Sequence, residues 1–308
     1  MRVLFLGTPS FAVKPLRRLV EAGHEIVSVV TQPDRPVGRS RTPQPPPVKQ
    51  AALELGLPVF QPETLRDEAA IQHLRALQPD VGVVAAYGEI LRRAVLDIPP
   101  LGYLNIHPSL LSLYRGPSPV AAAILAGDEM TGVSVILLER AMDAGPILAQ
   151  TALPLDPLGR TGHLTEQLFA LGADMLVGVL PLYAAGELVP APQDHSRATI
   201  TKMLSREDGR LDWTQPAIHL ERAVRAYDPW PGTWTTWQGQ PLKILKASVR
   251  EHLPEGEPGT ILDAPRLRVA TGKDALQLDE VQPAGKRAMS GDDWRRGQRN
   301  VVGARLGI

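Results

Sequence analysis

The first 150 residues alternate short β-rich apolar runs with longer stretches of helical periodicity. "RVLFLG" precedes a helix over about 10–22, "EIVSVVT" one over about 47–55, and "DVGVVAAY" one over about 89–96. "GYLNIH" and "GVSVILLE" add two strands with a helix over about 118–126 between them, and a last helix follows over about 162–185. Strands separated by helices read as crossover units, because a parallel pair cannot be closed by a two-residue turn. This order predicts an α/β domain with a mostly parallel open sheet, Rossmann-like in outline, covered on both faces.

The chain has 308 residues, more than one domain usually holds. Residues 1–186 form the predicted α/β domain. Residues 187–203, "ELVPAPQDHSRATITKM", lack sustained periodicity and are expected to be a linker. Beyond them the texture changes: a helix over about 215–226 precedes "TWTTWQG", "PLKILKASVR", "GTIL", "LRVAT" and "ALQLDEVQP". Short strands punctuated by Gly and Pro predict a small OB-like β-barrel over 204–308. Ser290, with Asp293 three residues on, marks the start of a short helix over about 290–297.

There is no cysteine, which removes disulfides, thiolate metal sites and cysteine nucleophiles and fits a reducing, cytoplasmic location. Gly7-Thr8-Pro9-Ser10 interrupts the apolar start too early for a signal peptide, and no segment was expected to approach a membrane span. The 33 basic and 33 acidic residues cancel, yet Lys286, Arg287, Arg295, Arg296, Arg299 and Arg305 cluster near the carboxyl end. Residues 32–49, "QPDRPVGRSRTPQPPPVK", are a long proline-rich loop carrying Arg35, Arg39 and Arg41. Loops of this length usually have a function of their own.

Ligands of open parallel sheets bind beyond the carboxyl ends of the strands. Three such places converge here: Tyr87-Gly88, Asn105 with His107, and the turn Met142-Asp143-Ala144-Gly145. The first strand is not followed by G-x-G-x-x-G, which argues against a nicotinamide enzyme, and P-loop, nucleophile-elbow and H-E-x-x-H patterns are absent. No metal is expected. Residues two apart on a strand share a face, so the Asn105 amide and the His107 imidazole can enter one pocket. The amide donates N–H groups at any pH, and a neutral imidazole can donate with one nitrogen and take a proton on the other. Such a pair suits a carbonyl that becomes an oxyanion, with Asp143 orienting the imidazole, stabilising its charged form or moving a proton itself.

Asn105-Ile106-His107-Pro108-Ser109-Leu110-Leu111, Tyr114-Arg115-Gly116 and Met142-Asp143-Ala144-Gly145 resemble the signature of folate-dependent formyltransferases. "FLGTPSFA", "TQPDRPVGR", "AYDPWPGTW" and "QPAGKRAMS" extend the likeness nearly end to end and are similar to the branch that acts on a charged tRNA. The resemblance implies formyl transfer from 10-formyltetrahydrofolate to the α-amino group of initiator methionyl-tRNA. It implies Asn105, His107 and Asp143 as the catalytic trio and no metal. It assigns Tyr87, Gly88, Ser109, Leu110, Leu111 and Ser112 to the folate donor. Arg35, Arg39 and Arg41 in the loop, with Lys286 and Arg287 in the barrel, fall to the tRNA. Ser112-Leu113 stands where the family usually has Pro-Arg. Nothing in the sequence calls for an obligate protein partner. Other readings fit the same residues: transfer to a small amine, which needs no 120-residue carboxyl-terminal platform, a hydrolase that releases formate with no acceptor, and an RNA-binding or dinucleotide-binding module that keeps the sheet without the chemistry.

Overall fold

The computed structural model describes residues 1–36, 42–251 and 256–307. Contacts divide the chain into two units. One comprises Met1–Pro119, Met130–Leu153 and Thr165–Thr201; the other comprises Val120–Glu129, Pro154–Leu164 and Lys202–Ile308.

The first unit opens with β1 (Arg2–Gly7), α1 (Val13–Glu21) and β2 (Glu25–Val30), then a two-residue ladder of β3 (Arg35–Pro36) and β4 (Pro43–Gln44). It continues through α2 (Pro47–Glu54), β5 (Val59–Phe60), α3 (Glu68–Ala76), β6 (Val81–Ala85), α4 (Arg93–Leu96) and β7 (Tyr103–His107). After α5 (Pro119–Ala126) come β8 (Met130–Leu137), β9 (Ile147–Pro154) and α6 (Thr161–Ala184). Seven strands form one open sheet in the order β5-β2-β1-β6-β7-β8-β9, parallel from β5 to β7. The central strands carry apolar residues on both faces, so Val3, Leu4, Phe5 and Leu6 of β1 are all inaccessible to solvent.

Several elements depart from expectation. Helix α3 and strands β5 and β9 were not foreseen: β5 is only two residues, β9 alternates buried with exposed positions, and only Ala70, Ile71 and Leu74 of α3 face inward. Helix α4 begins at Arg93 rather than near 89, since the Glu89 carboxylate accepts bonds from Thr64 Oγ1 at 2.6 Å and Leu65 N at 3.0 Å. Strand β8 runs antiparallel to β7: Ser134 lies opposite His107 and Leu137 opposite Leu104. Its carboxyl end therefore lies beside the start of β7, not beside the end that bears His107. The helix between β7 and β8 suggested a parallel crossover, but the chain enters β8 where β7 finishes.

Among the described residues α6 is long and apolar enough to cross a membrane by length and composition, contrary to expectation. Here one face of it is core: Leu168, Ala173, Leu176 and Leu180 are fully buried, while Leu182 is exposed. A Cβ on Gly172 would stand 2.5 Å from Ile106 Cγ2 and 2.9 Å from Val133 Cγ2, so only glycine lets the helix approach β7 and β8 this closely. The segment read as a linker is also structured up to Thr201. Ala191 bridges Ile147, Ile200 bridges Arg115, and Gln193 is buried.

The second unit holds α7 (Ala217–Ala226), β10 (Thr233–Trp237), β11 (Gln240–Arg250), β12 (Arg268–Ala270), β13 (Ala275–Pro283), β14 (Met289–Ser290) and α8 (Gly291–Arg296). Its sheet is antiparallel, in the order β10-β11-β13-β12, with β14 on β13. Register shifts in β11 around Lys246 help curl it into a half-barrel over Trp213, Leu220, Ile244, Leu276 and Trp294. "GTIL" contributes isolated bridges, Thr260 to Arg305 and Ile261 to Val269, rather than a strand. The Ser290 hydroxyl caps α8, accepting from Asp293 N at 3.1 Å.

Candidate active site

Strand β7 is buried along its whole length, its two polar residues included: Asn105 is 9% exposed and His107 4%. Their alternation with Leu104 and Ile106 sends both polar side chains to one face. Among the described residues no hydrogen bond satisfies the Asn105 side-chain amide. The polar atoms of this amide keep some solvent access, so its donors can meet water or a ligand.

His107 Nε2 lies 2.9 Å from the Tyr114 carbonyl oxygen. A carbonyl only accepts, so Nε2 carries the proton and Nδ1 keeps a free lone pair. Nδ1 stands 3.6 Å from Asp143 Oδ2, too far for a bond to the neutral ring but close enough to stabilise its charged form. Burial pushes the imidazole below its ordinary value, while the Asp143 charge and the Tyr114 carbonyl pull it back up. His107 is thus neutral near pH 7, with its one proton-accepting atom facing a carboxylate.

Asp143 comes from the 138–146 connection between β8 and β9, which brings its carboxylate to His107. Its backbone is left-handed, φ 50°, a conformation that Asp tolerates better than most residues. Gly116 N donates to Asp143 Oδ2 at 2.7 Å. Gly116 itself has φ 99°, and a Cβ there would stand 2.8 Å from the Thr201 carbonyl oxygen. The Gln193 amide donates to the carbonyls of Asp143 at 2.8 Å and Gly145 at 2.7 Å.

With this geometry in place, comparison with known proteins decides the family. Residues 1–180 match the formyl transferase family and residues 203–299 match the formyl transferase C-terminal domain. A methionyl-tRNA formyltransferase of Chloroflexus aurantiacus is 64% identical over 300 residues, covering 96% of this chain and 97% of that one. One of Roseiflexus castenholzii is 63% identical over 310 residues, covering 100% and 99%. The chain belongs to the methionyl-tRNA formyltransferase family. Its fold recurs in an N-formyltransferase from Helicobacter canadensis, crystallised with folinic acid and dTDP-3-aminofucose. There the TM-score is 0.66 at 13% identity, over 90% of this chain and 99% of that one. It also recurs in HypX from Aquifex aeolicus in complex with tetrahydrofolic acid, with TM-score 0.65 at 20% identity, over 99% of this chain and 48% of that one.

The positions that the family resemblance assigns to the donor are placed unevenly. Residues 109–112 follow β7 directly and are held by a small polar network. Ser134 Oγ donates to the Ser109 carbonyl at 2.7 Å and accepts from Leu111 N at 3.2 Å, and Gln150 Nε2 donates to the Leu111 carbonyl at 2.8 Å. Leu111 and Ser112 are buried and Leu110 half-buried. Among the described residues the N–H groups of Leu110 and Ser112 donate no hydrogen bond. The Tyr87 ring instead sits in the core with Leu4, Leu6 and Val84; among the described residues its buried hydroxyl has no hydrogen-bond partner, and burial raises its pKa. Any ligand contact at 87–88 therefore falls to the main chain, where Gly88 is left-handed and the Tyr87 carbonyl already accepts from Thr8 Oγ1 at 2.8 Å.

Arg35 is exposed on β3, 3.8 Å from Glu63. Arg39 and Arg41 lie outside the described residues. Below the loop, Lys49 pairs with both oxygens of Asp34 at 2.8 Å, and Gln61 Nε2 donates to the same carboxylate at 2.8 Å. Lys286 and Arg287 are exposed near the β13–β14 turn, and among the described residues neither pairs with a carboxylate. Much of the basic tail is neutralised internally, since Arg295, Arg296 and Arg305 pair with Asp263, Asp293 and Glu257. Sequence reasoning missed Gln193, Thr199 and Thr201, which brace the site from the expected linker. Their only signal was a polar triplet of uncapped, aperiodic residues.

Proposed function

We propose that Asn105, His107 and Asp143 carry out formyl transfer from 10-formyltetrahydrofolate to the α-amino group of initiator methionyl-tRNA, giving N-formylmethionyl-tRNA for translation initiation in the cytoplasm. The observation that carries this reading is a neutral imidazole whose free Nδ1 faces the Asp143 carboxylate at 3.6 Å, beside a buried amide with unused donors.

The donor supplies the formyl group when bound. The Asn105 N–H groups fit a carbonyl oxygen on which negative charge develops, because a fixed donor in a water-poor site stabilises that charge without reorganising. His107 Nδ1 takes the proton that the amine loses as its bond to the formyl carbon forms and returns it to N10 of the donor as the formyl–N10 bond breaks; in between, the charged ring is held by Asp143 on one side and the Tyr114 carbonyl on the other. The N–H groups of Leu110 and Ser112 suit the polar edge of a flat heterocycle, and the remaining contacts at 109–112 and 87–88 come from main chain and apolar surface. Arg35, Arg39, Arg41, Lys286 and Arg287 are assigned to the RNA, where phosphate contacts give affinity and base contacts selectivity.

The test is direct. Purified protein is incubated with labelled 10-formyltetrahydrofolate and either methionyl-tRNA or a panel of small amines. Label on methionyl-tRNA, lost by at least about a hundredfold in His107→Ala, is the expected result. Label only on small amines overturns the acceptor; full activity in His107→Ala overturns the trio.

A further inference from the structure

Gln193 has no part in the trio, yet every polar atom of its side chain is engaged. Arg115 donates to its Oε1 from Nε at 3.1 Å and from Nη2 at 2.7 Å. A guanidinium can only donate, so the amide has one possible orientation, with its NH2 turned away from Arg115. That NH2 donates to the carbonyls of Asp143 and Gly145. Both donors are thus spent on two carbonyls flanking one residue, Ala144, in the connection that bears the carboxylate. Gln193 is 6% exposed and Arg115 9% exposed, and among the described residues no carboxylate pairs with Arg115. Arg115 Nη2 also lies 2.9 Å from His195 Nδ1, so the guanidinium has an acceptor besides Gln193, whereas both N–H donors of the Gln193 amide go to the connection that bears Asp143.

The same stretch of chain reaches the other half of the site. Arg115 N donates to the Thr199 carbonyl at 2.9 Å, Thr201 N to the Arg115 carbonyl at 2.7 Å, and Tyr114 N to Thr199 Oγ1 at 2.7 Å. Residues 193–201 therefore hold Tyr114, whose carbonyl orients His107, and Asp143, which faces the other ring nitrogen.

We propose that Gln193 is a positioning residue: it locks the 143–145 main chain in the one conformation that aims the Asp143 carboxylate at His107 Nδ1. The proposal rests on the reading of Asp143 and His107 given above. It explains why left-handed Asp143 keeps its place in an otherwise exposed connection, and why an aperiodic segment is built into the first unit.

Gln193→Glu separates this role from simple anchoring of Arg115. A glutamate retains the shape and gives Arg115 a better partner, but it turns an acceptor towards two carbonyl oxygens. The expected result is a kcat at least tenfold lower and KM values for methionyl-tRNA and the formyl donor within twofold of wild type, in a protein that still unfolds cooperatively, with a melting temperature lowered by the loss of two buried hydrogen bonds. The acidic limb of the kcat profile moves to lower pH, in the same direction as in Asp143→Asn. Wild-type kcat and pH profile in Gln193→Glu, with Asp143→Asn impaired, overturn the brace alone. Wild-type kcat in Asp143→Asn overturns the role of Asp143 and the brace with it. A kcat loss in Gln193→Glu without the shift of the acidic limb marks a structural support only, which also overturns the proposal.

Discussion

Gly116 N donates to the same Asp143 oxygen that faces His107 Nδ1, so one carboxylate oxygen is shared between a fixed backbone donor and the ring that changes charge. The backbone donor keeps the oxygen in place while His107 is neutral and no bond between the two is possible. Glycine is required there because φ is 99° and a side chain would meet the Thr201 carbonyl. Gly116→Ala is therefore expected to lower kcat by at least tenfold and to destabilise the fold by about 1–3 kcal/mol. Melting curves and steady-state kinetics on the same preparation check both effects, and wild-type values of each would refute the role of this donor.

The pH dependence of activity follows from His107. Burial lowers its pKa from 6.5, and the Asp143 charge opposes that shift. The acidic limb of kcat/KM should therefore lie below 6.5, and Asp143→Asn, which removes the opposing charge, should move it lower still. An upward move would reverse the assignment of which group stabilises the charged ring.

Stability carries the same signature. The unfolded chain binds a proton at His107 more readily than the native one, so stability declines as pH falls through 6.5 towards the lowered native value and levels off below it. His107→Gln should flatten that part of the stability curve. Denaturant titrations of both proteins across this window test it, and identical slopes would show that His107 is not the group responsible.

Asn105→Ala removes a donor that no protein group uses. Loss of an oxyanion donor typically costs about 10²–10³ in kcat. Folding should be little affected, because among the described residues no protein bond to the amide is broken. A KM change for either substrate with kcat intact would move Asn105 from chemistry to binding.

Lys286→Ala with Arg287→Ala should raise KM for methionyl-tRNA several-fold and leave kcat nearly unchanged. If these side chains touch phosphates, the dependence of tRNA affinity on salt should also weaken, by up to about one unit of log–log slope per contact. Unchanged affinity and slope would remove both residues from the RNA surface.

The alternation of strands and helices was legible in the chain because each period maps onto one kind of backbone. The pairing of Asn105 with His107 was legible too, since a spacing of two on a strand leaves no choice of face. Asp143 was found for a reason the structure replaces. The neighbouring strand runs the other way, and the 138–146 connection, not strand adjacency, brings the carboxylate to the imidazole. Strand direction, the seating of α6 on β7 and β8, and the brace from Gln193 depend on contacts between residues far apart in the chain, such as His107 and Ser134, 27 positions apart, or Gln193 and Asp143, 50 apart. Local periodicity decides what a segment is. It carries no record of which distant carbonyl a buried amide will meet, because that pairing is selected only when the whole core closes around it.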